Sequence, residues 1–309
     1  MSRHHAHDHS DHGHHAPQDF GRAFALGIAL NTGFVVVEAF YGWQAGSLAL
    51  LADAGHNLSD VAGLLIAWAA LAAGRLKPTE RHTYGLRRGS ILAGFINAAV
   101  LLLAMGSLAW EAALRLQNPA PVAGMTMIVV AGIGVAINGL TAMLFIGGHK
   151  HDLNIRGAFL HMAADALVSL GVVVTGALYL WQGWAWVDPV ASIAIALVII
   201  AGTWSLFRQS LSLLFDGVPV HIELGEVRAA LLALPSVIAL HDLHVWALAS
   251  METALTAHLV LHGSAGSHDG LLREAALLLR ERFGIAHVTL QVETEAYEEL
   301  CARDACSGE

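Results

Sequence analysis

Two short stretches carry side chains able to hold a metal ion. LLADAGHNLSD, from Leu50, contains Asp53, His56 and Asp60, and FLHMAADALVS, from Phe159, contains His161 and Asp165. His56 and Asp60 are four residues apart, as are His161 and Asp165. On a helix such pairs share one face, with side chains ~6 Å from each other. Two such helices set face to face would present two imidazoles and two carboxylates to one point. That donor set suits tetrahedral Zn²⁺, which takes histidine nitrogen at ~2.0 Å and carboxylate oxygen slightly farther out. Two carboxylates and one Zn²⁺ leave no net charge, and imidazole nitrogen favours a borderline-soft ion over Mg²⁺ or Ca²⁺. Metal binding requires deprotonated ligands, so loading is linked to protons, and an unperturbed histidine titrates near pH ~6.5, within reach of physiological pH.

The surroundings of these pairs are apolar. Of 309 residues, 56% are hydrophobic and 13% are charged, with a mean hydropathy of +0.58. Soluble domains carry about 25% charged residues, so disorder is excluded and an ordinary cytosolic enzyme is disfavoured. Six apolar segments run roughly Phe20 to Gln44, Ser47 to Ala73, Ser90 to Leu114, Met125 to Gly147, Gly157 to Trp181 and Asp188 to Phe207. Each is near the ~20 residues needed to cross a ~30 Å hydrocarbon core, and lipid favours helices over strands of this length. His56, Asp60, His161 and Asp165 therefore fall inside predicted spans, where an ionisable side chain costs at least a few kcal/mol and marks a pathway. Asp53, one turn before His56, reads either as a helix contact or as a group on the approach path. Glu38 reads either as an outer vestibule carboxylate or as an interfacial one. Asn31, Asn97 and Asn138 read as interhelical hydrogen-bonding groups.

Lysine and arginine set the expected orientation. With both termini cytoplasmic, that side holds ten of them (Arg3, Arg22, Arg75, Lys77, Arg81, Arg87, Arg88, Lys150, Arg156 and Arg208) against Arg115 alone on the other. Trp181, Trp184 and Trp186 then gather at the outer interface as anchors. The first 19 residues lack the apolar run of a secretory signal; seven of the first 15 are histidine, a composition suited to loose metal chelation. Residues 217–309 carry net −8 of the chain's −9. Clustered acid suits cations as partners and argues against nucleic acid and anionic lipid.

After Pro219 the pattern changes. A helix is expected from Ile222, strands in VIALHDLHVWAL and METALTAHLVLH, a second helix in LLREAALLLRERF and a third strand in AHVTLQVET. This α-β-β-α-β order predicts a two-layer α+β domain. The only cysteines, Cys301 and Cys306, lie in the last nine residues. They form no disulfide framework, though their thiolates could join the histidine tail around a metal. The domain plan is thus a tail over 1–19, a transmembrane domain over 20–216, a cytoplasmic domain over 217–296 and a tail over 297–309.

SLALLADAGHNLSD, RHTYGLRRGSILAGFINA, HMAADALVSLGVV, VDPVASI, HDLHVW and HVTLQVE together resemble the cation diffusion facilitator family, specifically its zinc-preferring bacterial cobalt–zinc–cadmium efflux branch. The likeness extends from Phe20 to about Glu295. It implies an α-helical membrane protein with six transmembrane helices and a C-terminal ferredoxin-like α+β cytoplasmic domain. It also implies a homodimer in the inner membrane that exchanges a divalent metal for protons by alternating access. His56, Asp60, His161 and Asp165 become the transport site for Zn²⁺, with Co²⁺ or Cd²⁺ as further cargo. His241, His258, His287 and Glu293 become a cytoplasmic regulatory metal site, while His244, His262 and His268 are expected to be solvated. Arg88 and Asp216 match an interlocking salt bridge at the cytoplasmic end. In the loop from Gly74 only His82 remains of a further family metal site.

Two other functions are compatible with a metal in a membrane helix pair. An intramembrane metalloenzyme would need an open zinc position and a general base, and HExxH is absent. A metal sensor would signal through the acidic domain without transport. Zinc movement under a pH gradient separates the exporter from both.

Overall fold

The computed structural model describes residues 20–74, 76–145, 153–262 and 268–294. The expectations placed on the histidine-rich tail and on Cys301 and Cys306 lie outside the described residues. Six long helices come first: α1 (Phe20–Ala45), α2 (Leu48–Gly74), α3 (Gly89–Gln117), α4 (Gly124–Phe145), α5 (Leu153–Gln182) and α6 (Val187–Leu214). Four of them, α3 to α6, contain described stretches long and apolar enough to cross a membrane. At 1.5 Å per residue the 26 and 27 residues of α1 and α2 extend about 40 Å.

Helix α2 touches α1, α3, α5 and α6, which makes it the hub; α4 lies along α5 and α3 along α6. The shared core is built from Leu50, Met105, Met127, Val172, Ala196 and Ile199. Small residues allow the closest approach. A Cβ on Gly176 of α5 would stand 2.9 Å from the carbonyl oxygen of Gly124 on α4, the type of backbone contact that compensates for the missing hydrophobic drive between helices in lipid.

The N-terminus of α2 is capped from another helix. Asp188, at the start of α6, accepts from Ser47 Oγ at 2.5 Å and from the backbone N–H of Leu48 at 3.0 Å and of Ala49 at 3.4 Å. A carboxylate there satisfies orphan donors and suits the positive end of the helix. On the same end Arg115 Nη1 donates to the Gly46 carbonyl at 2.7 Å.

The C-terminal domain follows as α7 (Leu224–Leu232), β1 (Val237–Ala249), β2 (Glu252–Leu261), α8 (Asp269–Phe283) and β3 (His287–Thr294). The sheet order is β1-β2-β3, with β1 antiparallel and β3 parallel to β2. Central β2 is buried on both faces. Leu255 and Leu259 pack with Val227, Leu231, Leu279 and Ile285 into a core separate from that of the long helices. Helix α8 stops at Gly284, whose φ of +69° only glycine adopts freely; its N–H bonds back to the Arg280 carbonyl.

The β1–β2 turn rests on the end of the helical domain where α3 begins. Arg87 Nη1 donates to Glu252 Oε2 at 2.7 Å and the Ser250 N–H donates to Ser90 Oγ at 3.1 Å. Arg88 pairs with Asp216 within the same chain.

Candidate metal centres

The two four-residue spacings meet. Helices α2 and α5 face each other so that His56 Nε2 lies 3.3 Å from Asp165 and 3.6 Å from Asp60, while His161 Nε2 lies 3.4 Å from Asp60 and 3.6 Å from Asp165. Imidazoles and carboxylates thus alternate around a ring. Ligand atoms of His56, Asp60 and Asp165 all fall within 4.8 Å of one another. The two imidazoles stand across the ring, centroids 6.1 Å apart, so closing a tetrahedron requires His161 to swing toward His56. Asp60 Oδ2 is buried with no hydrogen-bond partner among the described residues. A carboxylate oxygen in that state is costly unless a cation completes it.

Exposure is graded along the helices. The Asp165 and His56 side chains are 3% and 19% exposed, against 28% for Asp60 and 43% for His161. Asp60 lies nearer the C-terminus of α2 than His56, and His161 nearer the N-terminus of α5 than Asp165. The more open pair is therefore the one closer to the C-terminal domain.

Away from that domain, Asp53 and Glu38 are buried rather than vestibular. Ser169, one turn after Asp165, donates to Asp53 Oδ2 at 2.7 Å, and Asn57 Nδ2 donates to Glu38 Oε2 at 3.1 Å. Asn97 accepts from Ser59 Oγ at 3.4 Å, joining α3 to α2. Asn138 is buried on α4.

A second cluster lies on the sheet. His241 of β1 pairs in register with His258 of β2, and Gln291 of β3 pairs with His258 on its other side. Glu293, two residues along β3, comes up on the same face. Its carboxylate meets His241 Nε2 at 3.0 Å and His258 Nδ1 at 2.8 Å and accepts from Gln291 Nε2 at 2.7 Å. His241, His258 and Glu293 offer ligand atoms within 4.8 Å of one another.

His287 does not join them. It shares the Glu293 face of β3 but sits six residues away, roughly 20 Å along a strand. Its ring instead packs edge-on against Tyr84, with centroids 5.3 Å apart. His244 was expected to be solvated and is exposed, yet its Nε2 bonds Asp242 at 2.8 Å.

Asp242 is a neighbour of this cluster that sequence reasoning missed. A register irregularity between His241 and His244 gives it a φ of +50° and turns its carboxylate toward His258 at 3.5 Å as well. The hydrogen bond from His244 holds its carboxyl below the usual range. The Asp between two His in HDLH was the available signal, because Asp tolerates left-handed backbone better than most residues.

Comparison with known proteins places this architecture among metal-cation transporters of the membrane. Residues 24–215 match the cation efflux transmembrane domain and residues 219–295 the cation efflux protein cytoplasmic domain. The chain belongs to the cation efflux family, the cation diffusion facilitators. It is 36% identical over 302 residues to the metal cation efflux system protein CzcD of Cupriavidus metallidurans, covering 98% of this chain and 93% of that protein. The zinc transporter ZitB of Escherichia coli is 36% identical, with 93% and 92% covered. The cadmium, cobalt and zinc/H⁺-K⁺ antiporter of Bacillus subtilis is 35% identical, with 89% and 90% covered. Among solved structures, the metal-bound C-terminal domain of the CzcD transporter from C. metallidurans is 41% identical, covering 23% of this chain and 99% of that one, with a TM-score of 0.22.

Proposed function

We propose that this chain is a zinc exporter driven by proton antiport. The observation that carries the reading is the ring of His56, Asp165, His161 and Asp60. Four ligand atoms at ~2.0–2.1 Å around a tetrahedral ion stand ~3.3–3.4 Å apart; the four His–Asp separations are already 3.3 to 3.6 Å, and His161 is the ligand that must move in, since His56, Asp60 and Asp165 alone lie within 4.8 Å of one another. Four side chains around one ion leave no open position for an activated water, so the site suits a carrier rather than a hydrolase. Cobalt and cadmium, named for relatives, are accepted as lesser cargo.

The cycle follows from ligand chemistry. With the C-terminal domain and both termini in the cytoplasm and the protein in the inner membrane, His161 and Asp60 form the cytoplasmic side of the site. Zinc loads there and displaces protons from the ligands. Exposure of the site to the other, more acidic side protonates imidazole and carboxylate, and the metal leaves. Arg115 alone on the outer side fits this orientation. The unit is a homodimer of chains divided into a transport domain over 20–216 and a cytoplasmic domain over 217–296. His241, His258 and Glu293 hold a regulatory zinc, with Asp242 facing His258 beside them.

Purified full-length protein in liposomes with an acidic lumen tests the reading. Zinc should accumulate several-fold above protein-free liposomes and stop when the pH gradient is collapsed. Liposomes that take up no zinc would overturn export, and uptake indifferent to the gradient would remove proton coupling.

A further inference from the structure

Glu38 and Asp53 are both fully buried, come from adjacent helices and lie within hydrogen-bonding reach of each other. Each carboxyl has one satisfied and one bare oxygen. Asn57 serves Glu38 Oε2 and Ser169 serves Asp53 Oδ2, whereas Glu38 Oε1 and Asp53 Oδ1 have no hydrogen-bond partner among the described residues. Among the described residues no Lys or Arg pairs with either carboxyl, and α2 and α4 carry neither residue type. The titratable groups acting on the pair are His56 on α2 and Asp165 on α5. On α3 and α6 the charges toward this end are engaged elsewhere, Arg115 with Glu111 and the Gly46 carbonyl, and Asp188 with the start of α2.

Two bare carboxylates this close in a medium of low dielectric repel strongly, and both orphan oxygens lack a donor. A single proton relieves the repulsion and supplies a donor, because a protonated carboxyl can hydrogen-bond to the other. We propose that Glu38 and Asp53 form a proton-binding site separate from the metal ligands, holding one proton between their carboxyls and exchanging it with water during each transport cycle. This rests on the proton-antiport reading above and gives the counter-ion its own binding groups.

The link to the metal is mechanical. Asn57 directly follows His56 on α2, and Ser169 is one turn beyond Asp165 on α5. Each donor to the pair therefore rides on a helix that also carries metal-ring residues. Gly134 of α4 keeps room for this contact: a Cβ there would stand 3.1 Å from Ser169 Oγ. A shift of α5 against α2 that opens the metal ring also draws Ser169 from Asp53.

The test uses full-length protein. Glu38→Gln and Asp53→Asn keep shape and remove the exchangeable proton. In liposomes with an internal pH dye, each should lower the protons moved per zinc by one and cut the stimulation of zinc uptake by a pH gradient several-fold. An unchanged proton count and stimulation in both variants would overturn the proposal. So would a fall in zinc bound per protomer with the proton count intact, which would make the pair a metal site. Infrared spectroscopy gives a readout independent of transport. Wild type at neutral pH should show a protonated carboxyl C=O band that Glu38→Gln removes and the conservative Asp53→Glu shifts. Wild type without that band refutes the shared proton whatever the variants do. Protein that shows the band but moves no zinc refutes the exporter and leaves the pair standing.

Discussion

Asp165 is the least exposed member of the metal ring, and both imidazoles converge on it, His56 at 3.3 Å and His161 at 3.6 Å. Asp165→Asn preserves volume but removes one of the two charges that would neutralise a bound ion. Zinc affinity should fall at least ~100-fold, beyond the loss typical of disturbing a ligand's outer partners, while the metal-free melting temperature stays close to wild type. Equilibrium zinc titration of the purified variant checks this, and wild-type affinity would strike Asp165 from the ligand set. His56→Asp changes a different property. It replaces a nitrogen donor by an oxygen and adds negative charge, so the bias toward a compact tetrahedral N/O shell weakens. The cadmium-to-zinc transport ratio should rise several-fold in the variant, and an unchanged ratio counts against a selectivity role for the imidazole.

At the scale of elements, α2 presents the ring, and its start is held by Asp188 of α6. Removing that cap in Asp188→Ala leaves the N–H groups of Leu48 and Ala49 without their acceptor. Caps of this kind contribute about 1–2 kcal/mol, so the thermal midpoint in detergent should drop by several degrees while zinc stoichiometry is kept. A midpoint equal to wild type would show that Ser47 alone suffices as cap. This contact also marks what the sequence could and could not disclose. Helix positions were legible from apolar run lengths, and His56/Asp60 with His161/Asp165 were legible because a period of four repeats on one helix face. Which helices touch was not. Asp53 and Glu38 read as unrelated acids until the crossing of α1 and α2 brought them together. Asp242 was hidden by a local irregularity that strand alternation does not anticipate. His287 shares a strand face with Glu293, but the resemblance could not reveal that Tyr84, from the loop before α3, would take it.

Across the whole molecule two separate cores meet at a small polar seam. Arg87–Glu252 is an exposed pair across it, and such pairs contribute only ~0.2–1 kcal/mol. With the Ser250–Ser90 hydrogen bond it is a light tether for the cytoplasmic domain. Its charge is the lever. Residues 217–309 carry net −8, so two copies side by side repel, and zinc held by His241, His258 and Glu293 would offset part of that repulsion. These residues have their own core, so the fragment 217–309 is a fair test object. Zinc at ~100 times its dissociation constant adds ~2.7 kcal/mol to a folded state that alone binds it. For a domain of this size that raises the melting temperature on the order of 10 °C. Calorimetry with and without zinc should show this rise together with a larger dimer fraction in sedimentation, and His258→Ala should abolish both. If zinc moves neither quantity in the wild-type fragment, the sheet cluster is a hydrogen-bonded strand contact and regulation by metal must come from elsewhere in the chain.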